Sequence, residues 1–241
     1  MTKPILVANW KNHPSSLFEA KSLLKQLAKH SRVYKKFAFF IAPPLTYFES
    51  VSERASFTQL ASQDIEIVDI LKSFGTKLAI IGHSDKRAMG ETDEMVNKKI
   101  KIALKSGITP LVCIGELARD QDGEHFEVLR NELRLALAGL TKKAEVSKIM
   151  VAYEPVWAIG KSAQEAIGPA ELSQTVIFIK KVLSDILGRK VADKITILYG
   201  GSVEPANAGD LMRGTGIRGL LVGRASLDAK KLEAIAESIL Q

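Results

Sequence analysis

The chain has 241 residues, of which 46% are hydrophobic and 25% charged, enough to bury one sizeable core. No apolar run approaches the ~18 residues of a membrane-spanning helix, and the run at residues 5–8 is too short for a signal peptide, so we expect a cytoplasmic protein. The net charge of +7 suits an anionic ligand, but the basic runs are short and lack interleaved aromatic residues, which argues against nucleic acid.

Eight short β-rich runs recur along the chain, and each is followed by a segment with helical periodicity. Some of these runs are continuously apolar, as at residues 78–81 (Leu-Ala-Ile-Ile), which is typical of parallel strands buried on both faces. Regular alternation of strand and helix predicts a parallel sheet. The predicted strands cover residues 5–10, 37–43, 57–64, 77–83, 109–115, 149–157, 196–202 and 219–224.

Three of the intervening segments show clear apolar faces at helical spacing. The first of them begins with Ser16 and Glu19, which are spaced as in a capping box. The three predicted faces are Leu17, Leu24 and Leu27; Phe126, Leu129, Leu133 and Leu137; and Leu172, Val176, Ile179, Leu183 and Ile186.

No linker, composition break or low-complexity tract divides the chain. We therefore predict that residues 1–241 form a single α/β domain, a (β/α)8 TIM barrel. A doubly wound open sheet is the structural alternative, but its usual glycine fingerprint is missing after the first strand, where Asn-Trp-Lys-Asn stands at residues 9–12.

Polar residues and glycines collect at the carboxyl ends of the predicted strands, the face where barrel enzymes place their sites. Glu154 stands out because apolar segments flank it, and a carboxylate beside apolar surface is costly unless it is used. Gly200, Gly201 and Gly223 follow strands seven and eight, where barrels usually bind phosphate through backbone N–H groups. Taken singly, each of these glycines is better explained by a plain turn, and it is their joint placement that favours a phosphate site.

Cys113 and the histidines give no sign of metal or redox chemistry. The single cysteine lies in an apolar run and is expected to be a small buried hydrophobe. The four histidines are scattered without metal-ligand spacing, so we expect no metal. Residues 160–162 (Gly-Lys-Ser) are similar to the end of a P-loop, but Pro155 stands where that motif requires glycine.

Five segments resemble the characteristic segments of the triosephosphate isomerase family, and they occur in the family's order. Those from strands six and seven are the most specific. The resemblance implies a cofactor-free isomerase of glycolysis and gluconeogenesis that interconverts dihydroxyacetone phosphate and D-glyceraldehyde 3-phosphate through an enediolate. The segments are Asn9-Trp10-Lys11, Ile81-Gly82-His83-Ser84, Cys113-Ile114-Gly115-Glu116, residues 152–160 and Tyr199-Gly200-Gly201-Ser202-Val203.

The resemblance also implies roles for particular residues, following the family's established assignment of base and electrophile. It implies that Glu154 is the base, that a neutral His83 polarises the substrate oxygens, and that Lys11 and Asn9 supply a positive charge and a hydrogen-bond donor. Phosphate would be held by backbone N–H groups of Gly160, Ser202, Gly223 and Arg224. A lid at residues 155–163 would close over the site. The residues implied to form or support this lid and the site are Ser84, Asp85, Pro155, Val156, Trp157, Ala158, Ile159, Tyr199, Gly200 and Gly201.

Four features depart from the family's usual pattern. Asp-Lys-Arg stands at residues 85–87 in place of Glu-Arg-Arg, Lys-Ser-Ala-Gln stands in the lid at 161–164, and Arg224 replaces the second glycine of a pair. Only 18 residues separate Asp64 from His83. The family's loop into a partner subunit is therefore about ten residues shorter here, and we expect a homodimer weaker than usual, with a monomer as the alternative.

Two other functions stay open at this point. One is another sugar-phosphate isomerase on a phosphate-binding barrel, which would share the phosphate site but not His83 with Glu154 in these contexts. The other is a non-catalytic barrel that binds phosphometabolites and has lost turnover through its altered lid. In all three cases the expected partner is a small phosphorylated molecule, with neither nucleic acid nor membrane.

Overall fold

Eight parallel strands close into a barrel in the computed structural model, which describes residues 3–54, 56–120 and 122–241. The strands pair in chain order and β8 pairs with β1, which confirms the predicted (β/α)8 barrel and excludes the open sheet. The strands are β1 (Ile5–Asn9), β2 (Ala38–Ala42), β3 (Gln59–Ser62), β4 (Leu78–Ile81), β5 (Thr109–Ile114), β6 (Met150–Tyr153), β7 (Thr196–Tyr199) and β8 (Gly219–Val222).

Helices connect the strands. Short 3-10 helices cover Leu45–Tyr47, Val156–Ala158 and Arg224–Leu227. Over the described ranges, no helix combines the length and apolar composition needed to cross a membrane. The α-helices are α1 (Leu17–Lys29), α2 (Ser31–Tyr34), α3 (Phe48–Arg54), α4 (Val68–Ser73), α5 (Ser84–Ala88), α6 (Asp93–Ser106), α7 (Glu124–Ala136), α8 (Lys143–Val146), α9 (Pro169–Leu187), α10 (Arg189–Ala192), α11 (Ala208–Met212) and α12 (Ala229–Leu240).

Each predicted strand corresponds to an observed one, but several end earlier than predicted. The clearest error is at β6, which was expected to reach residue 157 and ends at Tyr153. Pro155 has no N–H to continue a ladder, and the chain turns instead into the 3-10 helix Val156–Ala158. This early turn sets Glu154 at the rim of the barrel rather than within the sheet.

The core has two layers because side chains alternate across each strand. Leu6 packs in the layer between strands and helices, and its neighbour Val7 packs inside the barrel. Residues 78–81 are buried throughout, as predicted for a strand covered on both faces. Cys113 packs inside the barrel and is 1% exposed. Its burial confirms the expectation of a small buried hydrophobe, and desolvation raises the pKa of the thiol.

The start of α1 agrees with the prediction in one respect and differs in two. The Ser16 hydroxyl accepts a hydrogen bond from the Glu19 N–H at 3.2 Å, as a helix N-cap does. The Glu19 carboxylate binds Ser15, however, and not Ser16. Leu17 is 42% exposed, so placing it on the apolar face was wrong; burial on this helix begins one turn later, at Ala20.

Candidate active site

A cavity of about 220 Å³ opens at the carboxyl ends of the strands. Residues that follow β1, β4, β6, β7 and β8 line it, so the barrel brings together positions that are far apart in the sequence. All eight residues with an expected catalytic or phosphate-binding role lie at its wall: Asn9, Lys11, His83, Glu154, Gly160, Ser202, Gly223 and Arg224.

Glu154 is 2% exposed and both of its carboxylate oxygens are held. One oxygen, Oε1, lies 3.2 Å from Nε2 of His83, and the other accepts a hydrogen bond from the Ser84 N–H at 3.2 Å. Two glycines allow the close approach of neighbouring strand ends. A Cβ atom added to Gly115 would lie 1.8 Å from the carbonyl oxygen of Glu154. A Cβ atom added to Gly200 would lie 2.9 Å from the Cγ of Glu154.

His83 follows β4 and is the N-cap of α5. Its Nδ1 accepts a hydrogen bond from the Asp85 N–H at 3.1 Å, so this nitrogen carries no proton in that contact. A neutral ring then has its proton on Nε2, the nitrogen that faces Glu154. The helix start therefore selects a neutral imidazole whose N–H points toward the cavity.

Lys11 adopts a left-handed backbone conformation with φ of +52°, which is uncommon for a residue other than glycine. Two polar side chains hold it there. The Lys11 N–H donates to Asn9 Oδ1 at 3.0 Å, and its carbonyl accepts from Gln63 Nε2 at 2.7 Å. The Lys11 ammonium lies 3.0 Å from Asp85 Oδ2, so the shorter aspartate at this position still reaches the lysine.

The backbone N–H groups of four residues at the cavity wall lack an acceptor among the described residues. Those of Gly160, Ser202, Gly223 and Arg224 donate to no other group in the part of the chain that the structure describes. Backbone N–H groups are nearly always paired unless they face water or a ligand. Unpaired backbone N–H groups can form anion-binding concavities, and these four residues line the same cavity as Glu154.

Comparison with known proteins agrees with this geometry. A model of the triosephosphate isomerase family matches residues 4–239. The chain is 39% identical over 250 residues to the triosephosphate isomerase of Geobacter metallireducens, with 98% of each chain covered. It is 38% identical over 250 residues to that of Citrifermentans bemidjiense, again with 98% of each covered. For Roseiflexus sp. strain RS-1 the identity is 36% over 244 residues, covering 95% of this chain and 94% of the relative.

The chain belongs to the triosephosphate isomerase family. Part of the lid that the resemblance to triosephosphate isomerase implies lies at the cavity, at residues 159–161, and Ser202 contacts it. The Ser202 hydroxyl donates to the Lys161 carbonyl at 2.9 Å. The Tyr199 hydroxyl is buried and finds no hydrogen-bond partner among the described residues, and burial raises its pKa. Gly201 packs against it, since a Cβ there would lie 2.2 Å from that hydroxyl oxygen.

Sequence reasoning gave no role to Glu116, which anchors Trp157 at the start of the expected lid. The indole N–H of Trp157 and the hydroxyl of Tyr153 both donate to Glu116 Oε1, each at 2.8 Å. Glu116 is 1% exposed, and it ends the segment at residues 113–116 that resembles the triosephosphate isomerase family. The sequence feature that could have identified Glu116 is its position directly after the apolar strand predicted at residues 109–115.

Gln63 was missed as well. Its amide donates to the carbonyls of Lys11 and Ala42, at 2.7 Å and 3.0 Å, and so joins the ends of β1, β2 and β3. Gln63 lies near the end of the third predicted strand, a position typical of site residues. Its hydrogen-bond acceptors are backbone carbonyls, however, and every residue has one, so the sequence does not show which of them it contacts. Across the described ranges, no group of three or more His, Cys, Asp or Glu residues is placed to hold a metal ion.

The short segment between β3 and β4 is tied to its own barrel. Asp64 lies 2.7 Å from the Lys99 ammonium and 3.2 Å from that of Lys86. Burial raises the pKa of Asp64, but the hydrogen bond from Lys99 and its other partners outweigh this and lower it overall. Lys86 and Lys99 therefore both anchor the short segment between β3 and β4.

Proposed function

We propose that this protein interconverts dihydroxyacetone phosphate and D-glyceraldehyde 3-phosphate without a cofactor. The observation that carries the proposal is the 3.2 Å contact between Nε2 of His83 and Oε1 of Glu154. It sets a base and a hydrogen-bond donor side by side in the cavity that also holds Lys11 and the four free N–H groups. A proton transfer between adjacent carbons beside a phosphate needs this combination.

The base in this proposal is Glu154. Its carboxylate takes a proton from the carbon next to the substrate carbonyl, and the electron pair of that C–H bond forms the enediolate double bond. Return of the proton to the neighbouring carbon, with transfer of the hydroxyl proton from one substrate oxygen to the other beside Nε2 of His83, gives the other triose phosphate. Because Ser84 and His83 hold both carboxylate oxygens, the base is oriented before the substrate binds.

Stabilisation of the enediolate falls to His83, Lys11 and Asn9. The Nε2–H of neutral His83 donates to the oxygen on which negative charge develops, and the ammonium of Lys11 adds a fixed positive charge. Asn9 is 4% exposed at the cavity wall. Its Oδ1 is occupied by the Lys11 N–H, which leaves its amide N–H groups as the donors toward the substrate.

The phosphate group binds at the other end of the cavity. Backbone N–H groups of Gly160, Ser202, Gly223 and Arg224 donate to its oxygens, and a lid at residues 155–163 excludes water. Water would allow the enediolate to eliminate phosphate. The hydrogen bond from Ser202 to the Lys161 carbonyl supports this role for the lid.

An isomerase assay tests the proposal. Glyceraldehyde 3-phosphate is supplied, and the dihydroxyacetone phosphate that forms is reduced by glycerol-phosphate dehydrogenase with loss of NADH absorbance. Turnover that scales with enzyme concentration supports the proposal. Tight binding of 2-phosphoglycolate without turnover would favour the non-catalytic alternative instead.

For the assembly we infer a homodimer that is weaker than usual for the family. Large apolar side chains are exposed on the segments that follow β2, β3 and β4: Leu45 at 51%, Ile70 at 48% and Met89 at 82%. Such side chains are typical of a surface that a second copy covers. The short, self-tethered segment after Asp64 supports a smaller contact than in a triosephosphate isomerase with the longer loop.

We also propose that residues 1–241 act as one domain in the cytoplasm. A triose phosphate is doubly charged and does not cross a bilayer unaided, so its isomerase must share the compartment in which it is made. Fractionation of the source cells with an antibody against the chain tests the location.

A further inference from the structure

The side chain of Arg224 reaches from the end of β8 to the lid. Arg224 lines the cavity and directly follows Gly223. Its Nη2 atom lies 2.9 Å from the position that a Cβ would occupy at Gly160. The guanidinium therefore lies against Gly160 of the expected lid, which has a φ of +78°. Because Gly160 has no side chain, the guanidinium occupies the space that a Cβ atom would need.

This guanidinium makes no ion pair or hydrogen bond with any residue that the structure describes. The other charged groups at the cavity wall are already engaged. Lys11 pairs with Asp85, Lys161 lies 3.9 Å from Glu165, and Glu204 lies 3.7 Å from Lys231. Glu154 is held by His83 and Ser84. Among the described lysines and arginines that line the cavity, Arg224 is therefore the one without a partner, and its guanidinium has five N–H donors.

We propose that the Arg224 side chain binds the substrate phosphate directly and holds the lid over it. This inference rests on the proposed function, since it names a further ligand of the same phosphate. The backbone N–H of the same residue lies in the proposed phosphate site, so the side chain is within reach of the phosphate oxygens. Arginine binds phosphate through two parallel, charge-assisted hydrogen bonds, and here the same group contacts Gly160 of the lid.

The proposal makes Arg224 a residue that selects for the dianion and not one that acts on the reacting carbons. It adds to the neutral N–H donors a charged partner that a substrate without phosphate cannot use. Its removal should weaken the binding of phosphorylated ligands far more than it lowers the turnover of a substrate without phosphate. Charge-assisted hydrogen bonds of this kind correspond to a roughly 10- to 100-fold change in affinity.

The test compares Arg224→Met and Arg224→Lys with Arg134→Met. Arg134 is exposed on α7, and replacing it by methionine lowers the net charge of the protein by the same one unit. Binding of 2-phosphoglycolate is measured by calorimetry, and KM and kcat are measured with glyceraldehyde 3-phosphate. Turnover of D-glyceraldehyde, which lacks phosphate, is followed by NMR.

We expect Arg224→Met to weaken 2-phosphoglycolate binding roughly 10- to 100-fold and to raise KM for glyceraldehyde 3-phosphate, with a much smaller effect on D-glyceraldehyde turnover. Arg224→Lys should recover part of the affinity, and Arg134→Met should show none of the loss. Unchanged affinity in Arg224→Met overturns the proposal, as does an equal loss in Arg134→Met or a parallel loss with D-glyceraldehyde. If the wild-type chain binds 2-phosphoglycolate but shows no isomerase activity, the proposed function fails and the affinity comparison still decides the role of Arg224.

Discussion

Nε2 of His83 lies 3.2 Å from Oε1 of Glu154, although the two residues end strands that are separated by β5. The contact depends on local structure at both ends. A helix N-cap orients the imidazole, and the early end of β6 turns the carboxylate into the cavity. The two groups therefore meet without help from a bound substrate, which makes each of them a direct target for substitution.

Replacing Glu154 by glutamine should abolish the chemical step. The amide keeps the shape of the side chain and can still accept from the Ser84 N–H, but it cannot take a proton from carbon. We expect kcat to fall about 10³-fold, with 2-phosphoglycolate affinity changed only a few-fold. Steady-state kinetics and calorimetry measure the two quantities. A kcat near that of the wild type would remove Glu154 from the role of base.

Lys11→Met should impair both binding and turnover. The ammonium acts on the dianionic substrate and on the developing oxyanion, so its loss affects the ground state and the transition state alike. We expect a higher KM together with a kcat lower by about 10²-fold. Kinetics across a range of salt concentrations provide the check. If high salt reproduces the whole effect on the wild type, Lys11 only steers substrate from outside the cavity.

Gly200→Ala should misplace Glu154 without touching the substrate. The added methyl group would lie 2.9 Å from Glu154 Cγ, and displacement of a catalytic group by about 1 Å can cost 10²-fold in rate. Gly168→Ala is the matched control, since a Cβ at that position meets no atom within 4 Å. Comparable kcat values for the two variants would show that the close packing at Gly200 does not position the base.

Glu132 should make stability depend on pH. Burial raises the pKa of this carboxyl from 4.5 to about 7, despite the opposing effect of the Arg87 guanidinium. Between these pH values the folded chain keeps a proton that the unfolded chain has released, so the free energy of unfolding falls as pH rises through this window. We expect Glu132→Gln to remove the part of this decrease in the free energy of unfolding that comes from the Glu132 carboxyl group.

Urea denaturation at pH 5 and pH 8 measures this effect. Glu127→Gln, an exposed position on the same helix, is the control and should follow the wild type. Other carboxyl groups contribute equally to all three proteins, and the comparison between variants removes them. An identical pH dependence in Glu132→Gln and the wild type would show that Glu132 is not the titrating group.

Assembly should weaken on dilution. Only 18 residues lie between Asp64 and His83, which limits the surface that this segment can offer a partner, and the net charge of +7 adds repulsion that salt screens. We expect sedimentation to show a dimer at micromolar concentration that dissociates at lower concentration. Specific activity should fall over the same range if Lys11 depends on the neighbouring copy. A dimer that persists at nanomolar concentration would mean that another segment has taken over the contact.

The sequence was sufficient to predict the barrel and the positions that line the cavity. Alternating strand and helix patterns report the local backbone, and residues at strand ends necessarily meet once the barrel closes. It could not predict the hydrogen bond from Gln63 to the Lys11 carbonyl or the anchoring of Trp157 by Glu116. Those partners are 52 and 41 residues apart, and which of many polar groups meet is decided by packing rather than by any local pattern.

The direction of a long side chain is also beyond a local pattern. The sequence shows that Arg224 follows a glycine after β8, but only the folded chain shows that its guanidinium turns toward Gly160. The misplaced Leu17 is a smaller example. Its helical spacing was right, and its exposure follows from where α1 first contacts the barrel.

The pairing of β8 with β1 affects how the protein can fold while it is synthesised on the ribosome. Strand β1 carries Asn9 and leads directly into Lys11, yet one of its two neighbours is the last strand to be synthesised. Until residue 222 has emerged, the open edge of β1 has unpaired N–H and C=O groups that can pair with another nascent chain. Synthesis must therefore be almost complete before the barrel can close and protect this edge.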